Sequence, residues 1–146
     1  MARALPFALL LFVLTGGALW WALSQEPAAG RPTGDFAVYV VGPSSLLYDG
    51  TVHLEDADAL LAVQALGNVR GFTVRVDDLD GCAYDYVRGI AGLDETATGG
   101  WNYYVRGDDG EWAWQDHAAS CGGLRAGDDI LWCWVEPDER CAVYPD

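Results

Sequence analysis

The chain contains no lysine: its eight basic residues are all arginine, set against 22 acidic ones, for a net charge of -14 over 146 residues. A surface so poor in positive charge repels polyanions, which excludes nucleic acid and anionic lipid headgroups as partners. Histidine is scarce as well. His53 falls in an expected strand and His117 in an expected loop, and no Gly-x-Ser-x-Gly or other nucleophile motif accompanies either, so no enzyme is expected. No cysteine lies near the N-terminal leader, which excludes a lipoprotein anchor, and no close Cys-x2-4-Cys pair or histidine cluster offers the ligand spacing of structural zinc. No internal repeat is present.

What the chain does carry begins with an uncharged apolar run, Leu5 to Leu23, after Arg3, followed by the polar, proline- and glycine-rich stretch SQEPAAGRPTGD. This is an export signal. It is longer than the hydrophobic core of a cleavable signal peptide and just long enough to span a bilayer. Trp20 and Trp21 stand where an interfacial anchor would, and Ala22-Leu23-Ser24 offers a small-residue cleavage site. An uncleaved anchor is favoured: residues 1–24 as signal anchor or signal peptide, 25–35 as flexible linker, 36–146 as one exterior domain. The chain is then a single-pass cell-membrane protein with its C-terminal domain outside, or, if cleaved, a secreted one; the membrane is met through the N-terminal hydrophobic helix only.

An exterior domain permits disulfides, and Cys82, Cys121, Cys133 and Cys141 all lie in it. Four cysteines allow three connectivities, which sequence does not choose among. The pairing carried forward is Cys82 with Cys121, and Cys133 with Cys141 across the turn Glu136-Pro137-Asp138.

The exterior part reads as strand, strand, helix, then three or more strands. Asp35 to Gly42 is a short apolar run, and GTVHLED a second, separated by an expected turn at Tyr48-Asp49-Gly50. DADALLAVQALG changes period: Asp56 is placed to cap a helix, Asp58 to favour its first turn, and Gly67 to end it. FTVRV alternates as a half-buried strand, broken by DDLDG; YDYVRGI, WNYYVRG and Asp128 to Val135 follow as further strands. A sheet with one helix laid across it is the economical arrangement, an α+β fold with a β-grasp-like mixed sheet.

The segments VRGIAGL (Val87 to Leu93), GGWNYYVRG (Gly99 to Gly107) and LRAGDDILWCWV (Leu124 to Val135), preceded by TVHLEDADALLAVQALG, resemble the transcobalamin C-terminal-like domain family. The resemblance covers about Phe36 to Val135. Its most specific element is the hairpin pattern carried by Gly100, Trp101, Tyr103, Val105 and Gly107, with Gly127-Asp128 before the last strand. It implies an exported domain of unassigned function. In the vitamin carrier of that family the domain closes over cobalamin held against a separate helical barrel; no segment here is expected to encode that barrel, so the resemblance implies no cobalamin-binding residue and no cofactor. The insertion DDGEWAWQDH, Asp108 to His117, and the tail EPDERCAVYPD depart from the pattern.

Alternation along GGWNYYVRG places Trp101, Tyr103 and Val105 on one face, expected to be core, and Asn102, Tyr104 and Arg106 on the other. Trp112 and Trp114, two apart among Asp108, Asp109, Glu111 and Asp116, are the better ligand candidates. Flat aromatic faces beside carboxylates suit sugar rings or peptides. The ligand-binding candidates are therefore Trp112, Trp114, Tyr104 and Asp116. No metal is expected: Asp77 to Gly81 looks like an acidic calcium loop, but aligning Gly81 with the loop glycine leaves Val76 at the first ligand position and Val87 at the bidentate one. The expected function is an exported, membrane-tethered, non-enzymatic binding or adhesion module whose partner is a small ligand, glycan or envelope protein. The alternative is a structural or accessory domain of an envelope complex with no small-molecule ligand. An exposed Trp112-Trp114 patch would favour the first, and the same rings packed under the helix the second.

Overall fold

A computed structural model of the chain describes residues 30–77, 86–121, 123–137 and 139–146. The leader, Cys82 and most of the Asp77 to Gly81 acidic stretch lie outside the described residues. Among the described residues no helix is long and apolar enough to cross a membrane.

The described strands form a mixed sheet with order β2-β1-β8-β6-β7 and a smaller antiparallel sheet with order β3-β4-β5. β1 (Gly34–Val41) and β2 (Leu46–Leu54) are a hairpin; β3 (Val74–Asp77), β4 (Tyr86–Ile90) and β5 (Leu93–Asp94) make the small sheet; β6 (Gly100–Arg106), β7 (Trp112–Trp114) and β8 (Asp129–Val135) complete the large one. β1 runs parallel to β8, and the other pairings are antiparallel. The helix α1 (Ala59–Arg70) packs on β1, β2, β3 and β8. The fold is thus α+β, with a mixed sheet and a helix across it.

The helix starts later and ends later than its sequence implies. Asp56 has a left-handed backbone, φ 52°, whereas Asp58 is extended and its carboxylate accepts the Leu61 amide at 2.7 Å. Asp58 is therefore the N-cap. Gly67 lies inside the helix, and the left-handed cap is Gly71, φ 80°, donating its N–H to the Gly67 carbonyl. Gly67 has a packing reason instead: a Cβ there would stand 2.7 Å from the Phe72 carbonyl oxygen. Gly50 is explained the same way. Tyr48-Asp49-Gly50 is not a turn but the middle of β2, and a Cβ on Gly50 would come within 2.8 Å of Leu66 on the helix. The hairpin turns earlier, where the Gly42 amide donates to the Ser45 carbonyl.

Chain entry is also fixed earlier than the expected linker boundary. Arg31 pairs with the buried Asp58 at 2.9 Å and donates to the Ser120 carbonyl at 2.8 Å, and the Ala57 amide donates to the Pro32 carbonyl. β1 begins at Gly34, inside the stretch read as linker.

The sheet buries both faces. On the helix side lie Phe36, Val38, Val40, Val63, Leu66, Ile130 and Trp132, with Trp101 and Tyr103, as alternation required. The opposite face carries Val41, Leu131, Cys133, Val135 and Tyr104 beneath Cys141 and Val143 of the C-terminal tail. That tail is held by a disulfide between Cys133 and Cys141, the pairing expected for those two cysteines.

Candidate functional site

Register decides where the aromatic insertion points. β7 pairs with β6 so that Trp114 faces Tyr104 and Trp112 faces Arg106, and opposed residues of an antiparallel pair share a face. Trp112, Trp114, Tyr104 and Arg106 therefore belong to the tail side of the sheet. Their environments nevertheless diverge. Trp112 is half-buried: its indole N–H donates to the Pro145 carbonyl at 3.1 Å, the Arg106 guanidinium lies 4.6 Å over its ring, and Tyr39 meets it edge-on at 5.9 Å. Arg106 in turn ties the tail to β8, donating to Asp129 at 2.7 Å and to the Pro145 carbonyl at 3.1 Å. Tyr104 is 6% exposed and packs edge-on against Tyr144 at 5.8 Å. Burial pushes its phenol pKa up, with Tyr144 adding to the rise. Trp114, at the sheet edge, is 58% exposed.

Two depressions meet at Trp114. On the tail side, a groove of about 410 Å³ is lined by Asn102, Tyr104, Trp112, Trp114, Arg140 and Tyr144, among others. On the helix side, a cleft of about 470 Å³ opens between the small sheet and β6, and its lining is largely apolar. The floor of this cleft includes Trp101, Tyr103 and Trp132; the walls include Tyr86, Arg88 and Glu95 from the small sheet and Trp114, Asp116 and His117 from the segment after β7.

Each floor ring is oriented by a bond or a stack. Trp101 donates its indole N–H to the Leu93 carbonyl at 2.9 Å, and Trp132 donates to the Ala59 carbonyl at 3.2 Å. Tyr103 stacks on Trp132 at 5.3 Å and takes the edge of His117 at 6.0 Å. Its hydroxyl is different: it is buried and, among the described residues, has no hydrogen-bond partner. Burial pushes the Tyr103 phenol pKa far up, with Cys121, Asp116 and Asp58 adding to the rise. A neutral phenol without a partner in a packed interior costs free energy that a partner would recover.

The small-sheet wall is a charged network. Arg88 donates to both Asp77 and Glu95, and its guanidinium lies 5.1 Å over the Tyr86 ring. Tyr86 donates its hydroxyl to Glu95 at 2.8 Å. The hydrogen bond from Arg88, then that from Tyr86, holds the Glu95 carboxyl below its usual range. Opposite, Asp116 is exposed and stands 3.6 Å from the His117 ring nitrogen.

Of the residues singled out by sequence, Tyr104, Trp112 and Trp114 line the tail-side groove together, and Trp114 and Asp116 line the helix-side cleft. Within the Trp112-Trp114 pair the tail covers Trp112, whereas Trp114 at the strand edge is open. Tyr103, assigned to the core by alternation, is core and also lines the cleft. Sequence reading passed over Tyr86, Arg88 and Glu95; the acid between two aromatic strands was the available signal. Among the described residues no group of three or more His, Cys, Asp or Glu side chains is placed to hold a metal ion.

No family model matches the chain, and no curated protein does. Solved structures do resemble it. Haptocorrin in complex with Cbi aligns with a TM-score of 0.53 at 16% identity, covering 73% of this chain and 26% of that one, so the chain spans about a quarter of haptocorrin's length. A Ruminococcus gnavus protein provisionally assigned to metal binding aligns with a TM-score of 0.45 at 18% identity, covering 70% of this chain and 97% of that one. The haptocorrin likeness is one of fold.

Proposed function

We propose that the chain is a non-enzymatic binding module of β-grasp type, of the transcobalamin C-terminal-like kind, exported and tethered to the cell membrane by its leader, and that the cleft between the small sheet and β6 is where it takes a small ligand. The observation that carries this reading is the Tyr103 hydroxyl. It is buried and, among the described residues, without a partner in the floor of an aromatic-lined cleft, where an incoming polar group would satisfy it. Trp114 at the mouth supplies an exposed flat face, and Asp116 a hydrated rim. That a protein of similar fold, haptocorrin, is found with the small ligand Cbi supports the same reading.

The test is a panel of small sugars, short peptides, amines and the cobalamin analogue Cbi offered to the detergent-solubilised full-length chain, read by tryptophan fluorescence and thermal shift. A ligand of this cleft perturbs the signal of Trp114 and loses affinity in Trp114→Ala and Tyr103→Phe. Trp112, packed under the tail, favours the second reading, a structural domain of an envelope complex. A panel with no hit, and binding of an envelope protein instead, would establish that one.

A further inference from the structure

The cleft is electrically one-sided. Arg88, the arginine among its described lining residues, is engaged by two carboxylates, Asp77 and Glu95, so this network carries a surplus negative charge. Asp116 adds another at the opposite rim, whereas the buried Asp58 at the helix N-cap is balanced by Arg31. An anionic ligand would enter against this field and against a chain of net charge -14. A neutral phenol both donates and accepts, and in a field of this sign a cationic donor to its oxygen is favoured over an anionic acceptor from its O–H. Trp101 and Trp114 also line the cleft, and aromatic ring faces attract cations. The small-sheet wall already holds one cation in this manner, the Arg88 guanidinium over Tyr86 between carboxylates.

Resting on the binding-module reading above, we infer that the ligand of the cleft is a small protonated amine with a flat apolar body, its ammonium donating to the Tyr103 hydroxyl between aromatic faces and its charge balanced by Asp116. The hydroxyl is closed to water in this structure, and His117 is the wall residue that meets the Tyr103 ring, edge to face, at 6.0 Å.

Three isosteric probes separate charge from shape: 2-phenylethylamine, 2-phenylethanol and 3-phenylpropionate, titrated by calorimetry into the full-length chain in detergent. The amine should bind about tenfold more tightly than the alcohol, and the propionate more weakly than either. Tyr103→Phe keeps the ring stack and should bring the amine and alcohol affinities together. Asp116→Asn, an exposed change, should weaken the amine alone, and added salt should act in the same direction. If the alcohol or the propionate binds as tightly as the amine and responds to Trp114→Ala, the cationic assignment is overturned while the cleft remains a binding site. If neither these probes nor any member of the broader panel binds, both readings fall.

Discussion

Trp112 and Trp114 are two residues apart on one face of one strand, and truncating them should have very different consequences. Trp112→Ala removes an indole hydrogen bond to Pro145, a guanidinium stacked at 4.6 Å and an edge-on tyrosine at 5.9 Å. A net hydrogen bond contributes about 1 kcal/mol, an aromatic pair about 0.5 to 1.5 kcal/mol and a partly exposed cation–π contact about 0.5 to 1 kcal/mol. With about 1 kcal/mol more from the apolar burial of a half-covered ring, the expected loss is about 3 to 4.5 kcal/mol, within the usual range for a large buried aromatic. For a domain of this size that corresponds to a fall in Tm of about 4 °C per kcal/mol. Trp114→Ala, at the exposed edge, should stay within about 0.5 kcal/mol of wild type. Urea denaturation of the two single variants beside wild type measures both numbers. Equal destabilisation by the two truncations would refute the division of the strand into a covered half and an open half, and with it the placement of the cleft mouth at Trp114.

Replacing Cys133 and Cys141 together by serine should cost about 2.5 kcal/mol, the chain-entropy value for a loop closed across a separation of eight residues, and should expose the tail to proteolysis, read by mass spectrometry of the clipped product. Gly67→Ala should destabilise by about 1 to 3 kcal/mol despite the better helix propensity of alanine, because the new Cβ meets backbone at the Phe72 carbonyl; a gain in Tm would show that the connector at Phe72 can give way. Glu95 has its carboxyl pKa lowered by the hydrogen bonds from Arg88 and Tyr86. Its contribution is therefore present above the unfolded-state pKa and lost as pH falls through the lower folded value. The stability difference between wild type and Glu95→Gln should accordingly be constant at neutral pH and shrink in the acid range, and a difference that grows on acidification would contradict the network.

The parts of this molecule written in its sequence are those governed by local periodicity. Alternation in GGWNYYVRG placed Trp101 and Tyr103 in the interior, and apolar runs located the hairpin, the helix and β8. What failed did so because glycine has two uses that look alike in sequence. Gly50 and Gly67 read as chain breaks, but Gly50 is where β2 passes under Leu66 of the helix and Gly67 is where Phe72, just after the helix, folds back on it, both too close for a Cβ. The aromatic insertion was legible only in part. Strand parity correctly gives Trp112 and Trp114 a common face, yet parity says nothing about what covers that face. The cover is the tail beyond Cys141, some thirty residues further along. The cleft itself is assembled from β4, β6, β8 and the segment after β7, a juxtaposition that only the tertiary fold creates.

Tyr103 brings the core reading and the functional reading onto one residue. A phenylalanine there would keep the stack on Trp132 and the edge contact with His117 while removing a hydroxyl that is buried and, among the described residues, unpartnered. Leaving such a group unsatisfied costs about 1 to 3 kcal/mol, so on stability alone the hydroxyl is a liability. Tyr103→Phe should then raise the stability of the ligand-free chain by about 1 kcal/mol, an unusual sign for a change in a packed interior. The same change should weaken ligand binding, because the hydroxyl is the group that the ligand satisfies. Stability gained where function is lost is the expected signature of a site held at the expense of the fold. Denaturation of the variant without ligand provides the check. If Tyr103→Phe is instead destabilising by a kcal/mol or more, the hydroxyl already has a partner within the protein, and the observation on which the binding site rests is withdrawn.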